Sequence, residues 1–375
     1  MQVTRRLNLF RPNVREEAVE AVSAVLRSGW IGLGPKTQQF EQAFGAYVGA
    51  RSCVAVNSGT AALHLAVKLL DLPEGAEVIT PAVTFISTNL AILQERLTPV
   101  FADIDPKTGN LTPAAIEARV TPHTGAVMIM HYAGYPCDLD EIYALAAAHH
   151  LPVVEDCAHA TGASYKGRRI GSHDSLQAFS FDPSKNLTTG DGGALVSNTP
   201  EYEERLRCLR YLGMNKDSYR RFAQRSDSPR GWDYEVQEVG FRYHMNDIHA
   251  AIGLAQLPFL EEDNRRRAEI AALYRAGLAE VPGIGLLTRA EDRVCSNFLF
   301  CALAERRDDL LRKLSETGIG VSVHFKRNDE YPMFTRADDL PHTDWFCARA
   351  ISLPMYPALQ DEEVGSVIDL IREGW

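Results

Sequence analysis

Compact apolar runs alternate with longer segments of helical periodicity along the first two-thirds of the chain. The run SCVAVNS (residues 52–58) predicts a strand, and TAALHLAVKLL (60–70) predicts the helix after it. AEVITP and FISTNLAILQE repeat the pair. TPVFADID and AVMIMHYAG predict two more strands, and DLDEIYALAAAHH predicts a helix leading to the strand PVVED. Such strands lack polar alternation, so both of their faces need apolar cover, which points to an α/β fold with helices on either side of a parallel sheet.

Residues 214–240 turn polar, irregular and charged, which predicts a long surface excursion. From Pro258 the character changes again. A charged helix (EEDNRRRAEIAALYRAGLAEV) precedes strand candidates FLFCALA and GVSVHF and a closing helix DEEVGSVIDLIREG. The expected division is a large domain over residues 1–257 and a smaller C-terminal α/β domain over 258–375.

Composition narrows the function classes. The chain has 375 residues, enough for a large core, and a formal net charge of −10. Its longest basic run is the RRR at Arg265 to Arg267, so neither nucleic acid nor a membrane surface is an expected partner. MQVTRRLNLF lacks the apolar stretch of a signal peptide, and no run is long enough to span a bilayer. Seven cysteines without CxxC spacing suit reduced thiols in the cytoplasm. No HExxH or His/Cys cluster suggests a metal.

Three strand ends carry candidate chemistry, because ligands of parallel sheets gather at the carboxyl ends of the strands. In NSGTAAL a strand meets a helix start. Gly59 permits close approach there and Thr60 offers a hydroxyl, which suits a phosphate; the same residues could simply cap the helix. In PVVEDCAHATGA, Asp156 follows a buried strand, where a carboxylate needs water or a cationic partner. His159, three residues on, could meet the same ligand; equally, Asp156 could cap the next turn and His159 could be a satisfied core histidine. In FSFDPSKNLTTGDGGALVS, Ser180 faces away from its two phenylalanine neighbours, and Lys185 sits in the following bend. A desolvated lysine there would have a freer amine, able to attack a carbonyl. Phosphate cradle, carboxylate and amine together match pyridoxal 5′-phosphate.

Nearly the whole chain resembles the DegT/DnrJ/EryC/StrS family of sugar aminotransferases. The likeness runs through GWIGLGPKTQQFEQAFGAYVGA, NSGTAALHLA, ITPAVTFISTNLAI, HYAGYPCDLDEI, VVEDCAHATGASYKGRRIG, FSFDPSKNLTTGDGGALVS, VGFRYHMNDIHAAIGLAQL and ISLPMYP. It implies the fold-type-I, aspartate aminotransferase-like architecture, with a mixed, mostly parallel sheet in the large domain. It implies Lys185 as the residue bonded to the pyridoxal phosphate aldehyde, Asp156 opposite the ring nitrogen, His159 near the ring hydroxyl and Phe85 stacked on the ring. Gly59, Thr60 and Ser180 would hold the phosphate. A partner subunit of a homodimer would reach it from GFRYHM, where Arg242 and His244 stand in place of the family's usual asparagine and arginine. His324 and Trp30 would lie near the substrate, although KRNDEYPMF after His324 departs from the common pattern.

The implied reaction is transfer of an amino group from L-glutamate to a nucleotide-linked keto-deoxysugar. HYAG and EDCAHA favour the C4 carbon of a 4-keto-6-deoxyhexose. Amination at C3, a cyclitol or keto-octulosonate acceptor, and a dehydratase or lyase using the same cofactor are the alternatives. A regulatory relative with a degraded site is a further one, against which Lys185, Asp156 and Ser180 weigh.

Overall fold

A computed structural model of the chain describes residues 6–217, 219 and 233–375. Seven strands form the main sheet, in the spatial order Ser52–Val56, Gly193–Ser197, Leu176–Ser180, Val153–Asp156, Thr124–Met130, Glu77–Pro81 and Thr98–Ala102. Gly193–Ser197 runs opposite to both of its neighbours, and the remaining strand pairings are parallel. The mixed, mostly parallel sheet expected from the sequence is therefore present.

Helices cover both faces. On one, Val54, Val56, Met128 and Leu195 pack beneath the helix Gly59–Leu69, whose residues Ala61 to Val67 are all buried. That helix reads apolar all round because it lies between the sheet and further helices. On the other face, Phe40 and Phe44 of the helix Pro35–Val48 meet Phe179 and Phe181 edge-on. Phe179 and Phe181 thus point into that core, and Ser180 between them points away.

Beyond residue 260, the helices Leu260–Leu278, Arg307–Glu316 and Asp361–Arg372 surround an antiparallel sheet of Ile284–Leu286, Phe300–Ala304 and Ala350–Leu353. Ile270, Tyr274, Ala302, Ile351 and Val367 share its core. Leu287, Phe298, Leu299 and Phe346 instead join the core of the main sheet. One expected strand is absent. GVSVHF (320–325) makes one isolated bridge, Ser322 with Ser352, just after the bridge of Ile319 with Leu7, and otherwise runs as a connection that carries His324 inward. Of the expected excursion over 214–240, residues 218 and 220–232 lie outside the described residues; the flanks pair through Met214 and Val236.

A buried ion pair ties the first strand to its helices. Glu41 and Arg210 are 4% and 3% exposed and bond directly. Glu41 also accepts from the Ala55 N–H at 3.0 Å and from Arg207 at 2.7 Å, while Arg210 donates to the Ala55 carbonyl at 2.6 Å. Burial opposes ionisation of Glu41, but Arg210 and Arg207 outweigh it and hold the carboxyl below its ordinary value. Truncation would leave the buried Arg210 guanidinium without its anion, while Arg207 would keep Glu203 at 2.9 Å. Glu41→Ala is expected to destabilise the fold by about 3–5 kcal/mol in urea melts. The native pair contributes its stability above the ordinary glutamate pKa and loses it as pH falls through the lowered folded value.

Candidate active site

Strand direction assembles the site. Val153–Asp156 and Leu176–Ser180 run parallel as neighbours, with Asp156 beside Ala178, so both carboxyl ends open at one edge of the sheet. Gly193 pairs with Ser180 on one side and Val56 on the other. The turn after Val56 is thereby brought against Ser180. A methyl group on Gly59 would lie 2.7 Å from Ser180 Cβ, and one on Gly193 would lie 2.5 Å from the Ser58 carbonyl oxygen. Only glycine allows this approach.

A cavity of about 280 Å³ lies at this edge, close to the lower end of ligand-pocket sizes of roughly 300–1,000 Å³. Gly59, Thr60, Phe85 and Ser180 line it, as do Asp156, His159, Lys185 and His324. Eight of the residues singled out from the sequence therefore meet in one space. Trp30 and Arg242 do not line it within this chain. The Trp30 indole donates to the Leu33 carbonyl at 3.1 Å and meets the ring of Tyr219 edge-on. Arg242 is exposed and pairs through its backbone with Tyr211. His244 is half-buried with its backbone against Val56; burial, then Arg242 and Arg210, lowers its pKa to about 4.

Asp156 closes the bottom of the cavity and is 2% exposed. Burial raises its pKa above the ordinary value, against the hydrogen bonds that favour the ion. Thr88 Oγ1 donates to Oδ2 at 2.6 Å, and the Ala158 N–H donates to Oδ1 at 3.0 Å. Thr84 in turn bonds Thr88 at 2.7 Å, donating to it because Thr88 spends its own proton on Asp156. Thr88 was not anticipated from the sequence, although it stands one helical turn after Phe85 in FIST.

The adjacent Glu155 points to the opposite face, as strand alternation requires. It is buried with His131 Nε2 at 2.8 Å and accepts from the hydroxyls of Tyr143 and Ser175. His131 Nδ1 accepts from the Cys137 N–H at 3.1 Å, so the proton on Nε2 belongs to the bond with Glu155. Glu155, His131 and Cys157 hold their ligand atoms within 4.8 Å of one another, and the first two are spent on this network.

Lys185 hangs in the bend that begins at Asp182, whose carbonyl accepts its N–H at 3.0 Å. The side chain is half-buried and keeps an opening to the cavity. Desolvation lowers the amine to about 8, against the opposing pull of Asp156 and Asp182. His159 falls well below its ordinary value through burial and the charge of Lys185, and His324 falls to about 4 for the same reasons. Both rings are therefore neutral near pH 7. His324 Nδ1 bonds Ser352 at 2.9 Å, and Nδ1 of His159 is buried without a hydrogen-bond partner.

These features fit pyridoxal phosphate. The glycine-walled turn at a helix start suits a phosphate, Asp156 keeps acceptor capacity for a protonated ring nitrogen, and His159 Nδ1 awaits a polar ligand atom. Phe10, Ser58, Ser87, Phe298 and Phe325 complete the walls. Phe10 and Phe298 had no local signal, since they reach the site from distant parts of the chain.

Comparison with known proteins places this geometry in context. The family model described as the DegT/DnrJ/EryC1/StrS aminotransferase family matches residues 12–372. The spore coat polysaccharide biosynthesis protein SpsC of Bacillus subtilis is 40% identical over 374 residues, covering 96% of this chain and 95% of that protein. The sugar aminotransferase CalS13 of Micromonospora echinospora superposes with a TM-score of 0.90 at 35% identity, covering 98% of this chain and 100% of that one. Spr1654 of Streptococcus pneumoniae, solved in a PMP form, gives a TM-score of 0.92 at 28% identity with 98% of each chain covered; its PLP form gives 0.91.

Two outcomes are expected. Above pH 8 the Lys185 amine is mostly free of its proton, so the cofactor-free chain should combine with pyridoxal phosphate faster as pH rises through about 8, followed by absorbance. Gly59→Ala should weaken cofactor binding by more than about tenfold in spectroscopic titration, because its methyl group must displace Ser180.

Proposed function

The chain belongs to the DegT/DnrJ/EryC1/StrS aminotransferase family, and from that premise we propose that it moves an amino group from L-glutamate to a nucleotide-linked keto-deoxysugar at C4. It is a pyridoxal-phosphate-dependent sugar aminotransferase. The observation that carries the reading is the meeting of the Lys185 amine and the Asp156 carboxylate in one cavity beside the Gly59 turn.

Bound there, pyridoxal phosphate supplies an electron-withdrawing ring that stabilises negative charge at the carbon losing its proton. Gly59, Thr60 and Ser180 would hold the phosphate, with the hydroxyl of Thr60 tied to Ser87 at 2.7 Å. Asp156, steadied by Thr88 and Ala158, would hold the proton on the ring nitrogen. His159 would meet the ring hydroxyl, and exposed Phe85 would cover the ring. Lys185 Nζ is the group that would bond the aldehyde, and its amine, when free, would be the base and acid that moves a proton between carbons. Its lowered proton affinity suits both duties near neutral pH. His324, neutral and fixed by Ser352, offers a hydrogen bond to the acceptor. Residues 1–257 form the cofactor domain and 258–375 the small domain that walls the site.

The working unit on this reading is a cytoplasmic homodimer, with Arg242 of a second copy reaching the phosphate. The exposure of Arg242 outside its own chain's cavity supports that assignment. Among the described residues no helix is long and apolar enough to cross a membrane.

Borohydride reduction and peptide mapping are expected to find the cofactor on Lys185. Lys185→Arg should abolish turnover, because a guanidinium keeps its proton throughout. Glutamate assayed with UDP-, GDP- and dTDP-linked ketosugars should give 2-oxoglutarate and an aminosugar with at least one, its new nitrogen at C4 by NMR. Failure on all three would remove the nucleotide-sugar assignment, and nitrogen at C3 would move the site of amination.

A further inference from the structure

Phe298 is joined to the site by more contacts than a wall residue needs. Lys185 Nζ lies 4.1 Å from the centre of its ring. His159 stacks on that ring with centroids 4.1 Å apart and planes 24° apart, and Phe10 stacks on it at 5.2 Å. Phe298 itself is 2% exposed.

Its backbone is bolted from several directions. Buried Arg267 donates to the Phe298 carbonyl at 3.3 Å and to the Met355 carbonyl at 3.1 Å. Asn186, next to Lys185, donates to the Ser296 carbonyl at 2.8 Å. The Ser296 hydroxyl donates to the His159 carbonyl, and its N–H donates to that of Gly134 at 3.1 Å. The segment bearing Phe298 is thus pinned to the turn of His159, to the bend of Lys185 and to the helix Leu260–Leu278.

We propose that Phe298 is a positioning residue, whose ring face holds the ammonium of Lys185 whenever that side chain is free of the cofactor. The inference rests on Lys185 being the cofactor-bonded lysine. An aromatic face attracts a cation through its negative π surface, most strongly where water is excluded. Released lysine would otherwise be a flexible four-carbon arm; over Phe298 it stays beside Asp156, poised to return.

The ring face favours the charged amine, so weakening it must make Lys185 give up its proton at lower pH. The other ionisable groups facing Lys185 are Asp156 at the strand end, Asp182 and Asp191 from the surrounding bend, and His159 and His324; of these His159 stacks on the Phe298 ring, and burial with the charge of Lys185 holds it well below its ordinary pKa, so the shape-preserving fluorinated rings are the decisive series. The measurement uses the full, cofactor-free chain, pyridoxal phosphate as probe, borohydride reduction and peptide mapping of Lys185 across pH. Fluorinated phenylalanines placed at 298 keep the ring's shape while draining negative charge from its face. The midpoint of Lys185 labelling is expected to fall stepwise with fluorine count. Phe298→Leu should lower it by roughly half to one pH unit, and Phe298→Tyr should leave it near the native value. The cofactor phosphate titrates identically in every variant, so the differences report the lysine. Labelling of Lys185 with a midpoint indifferent to fluorination overturns the role of Phe298 and leaves the catalytic assignment standing. Absence of label on Lys185 in the native chain removes both.

Discussion

Lys185 and Asp156 are opposite charges drawn out of water into the same cavity, and each is held away from its ordinary proton affinity by that burial. Desolvation pushes the amine down to about 8 and the carboxyl up, while their mutual attraction works the other way in both. An amine so placed can be a nucleophile and a proton carrier near neutral pH, which a solvated lysine could not be. Thr88 and Ala158 donate to the carboxylate and favour its anion against that burial. The remainder of the structure can be understood as what is needed to bring these two groups to one place and keep bulk water away.

The sheet accomplishes most of that. Parallel neighbours present their carboxyl ends together, so Asp156 and Ser180 emerge at a common edge. The single reversed strand places Gly193 between Val56 and Ser180, and it draws the helix start at Gly59 against the strand that leads to Lys185. Strand alternation keeps acidic neighbours apart. Asp156 faces the cavity, whereas Glu155 turns away into hydroxyl donors and His131, which hold it below its ordinary pKa despite its burial. Behind the first strand, Glu41 and Arg210 repeat the rule that a charge without water requires a partner.

The far wall comes from the C-terminal part of the chain. Phe298, His324 and Phe325 line the cavity with Phe10, and His159 lies stacked between Phe298 and Phe325. These rings exclude water without offering competing charge. Hydrogen bonds from Arg267, Asn186 and Ser296 hold the wall to the elements that carry the chemistry. The result is a site whose charged groups, Asp156 and Lys185, come from the main sheet and its bend, and whose aromatic wall comes from Phe10 and from residues 298–325.

Local pattern was enough to read the alternating strands and helices, and the three strand ends with Gly59, Thr60, Asp156, His159, Ser180 and Lys185. The reason is that a parallel sheet converts position along a strand into position at one edge, whatever the rest of the chain does. Thr88 was within reach of the same logic, one helical turn from Phe85. Phe10 and Phe298 were not, because which aromatic ring faces an amine depends on how distant segments pack, and that is recorded in no local periodicity. The same limit explains why GVSVHF looked like a strand. Its alternation is real, but its one bridge joins Ser322 to Ser352, with Ile319 before it bridging Leu7, and the path carries His324 to the cavity. Tertiary packing likewise decided that Trp30 and Arg242 stand outside their own chain's cavity, since neither burial nor reach can be deduced from residue type alone.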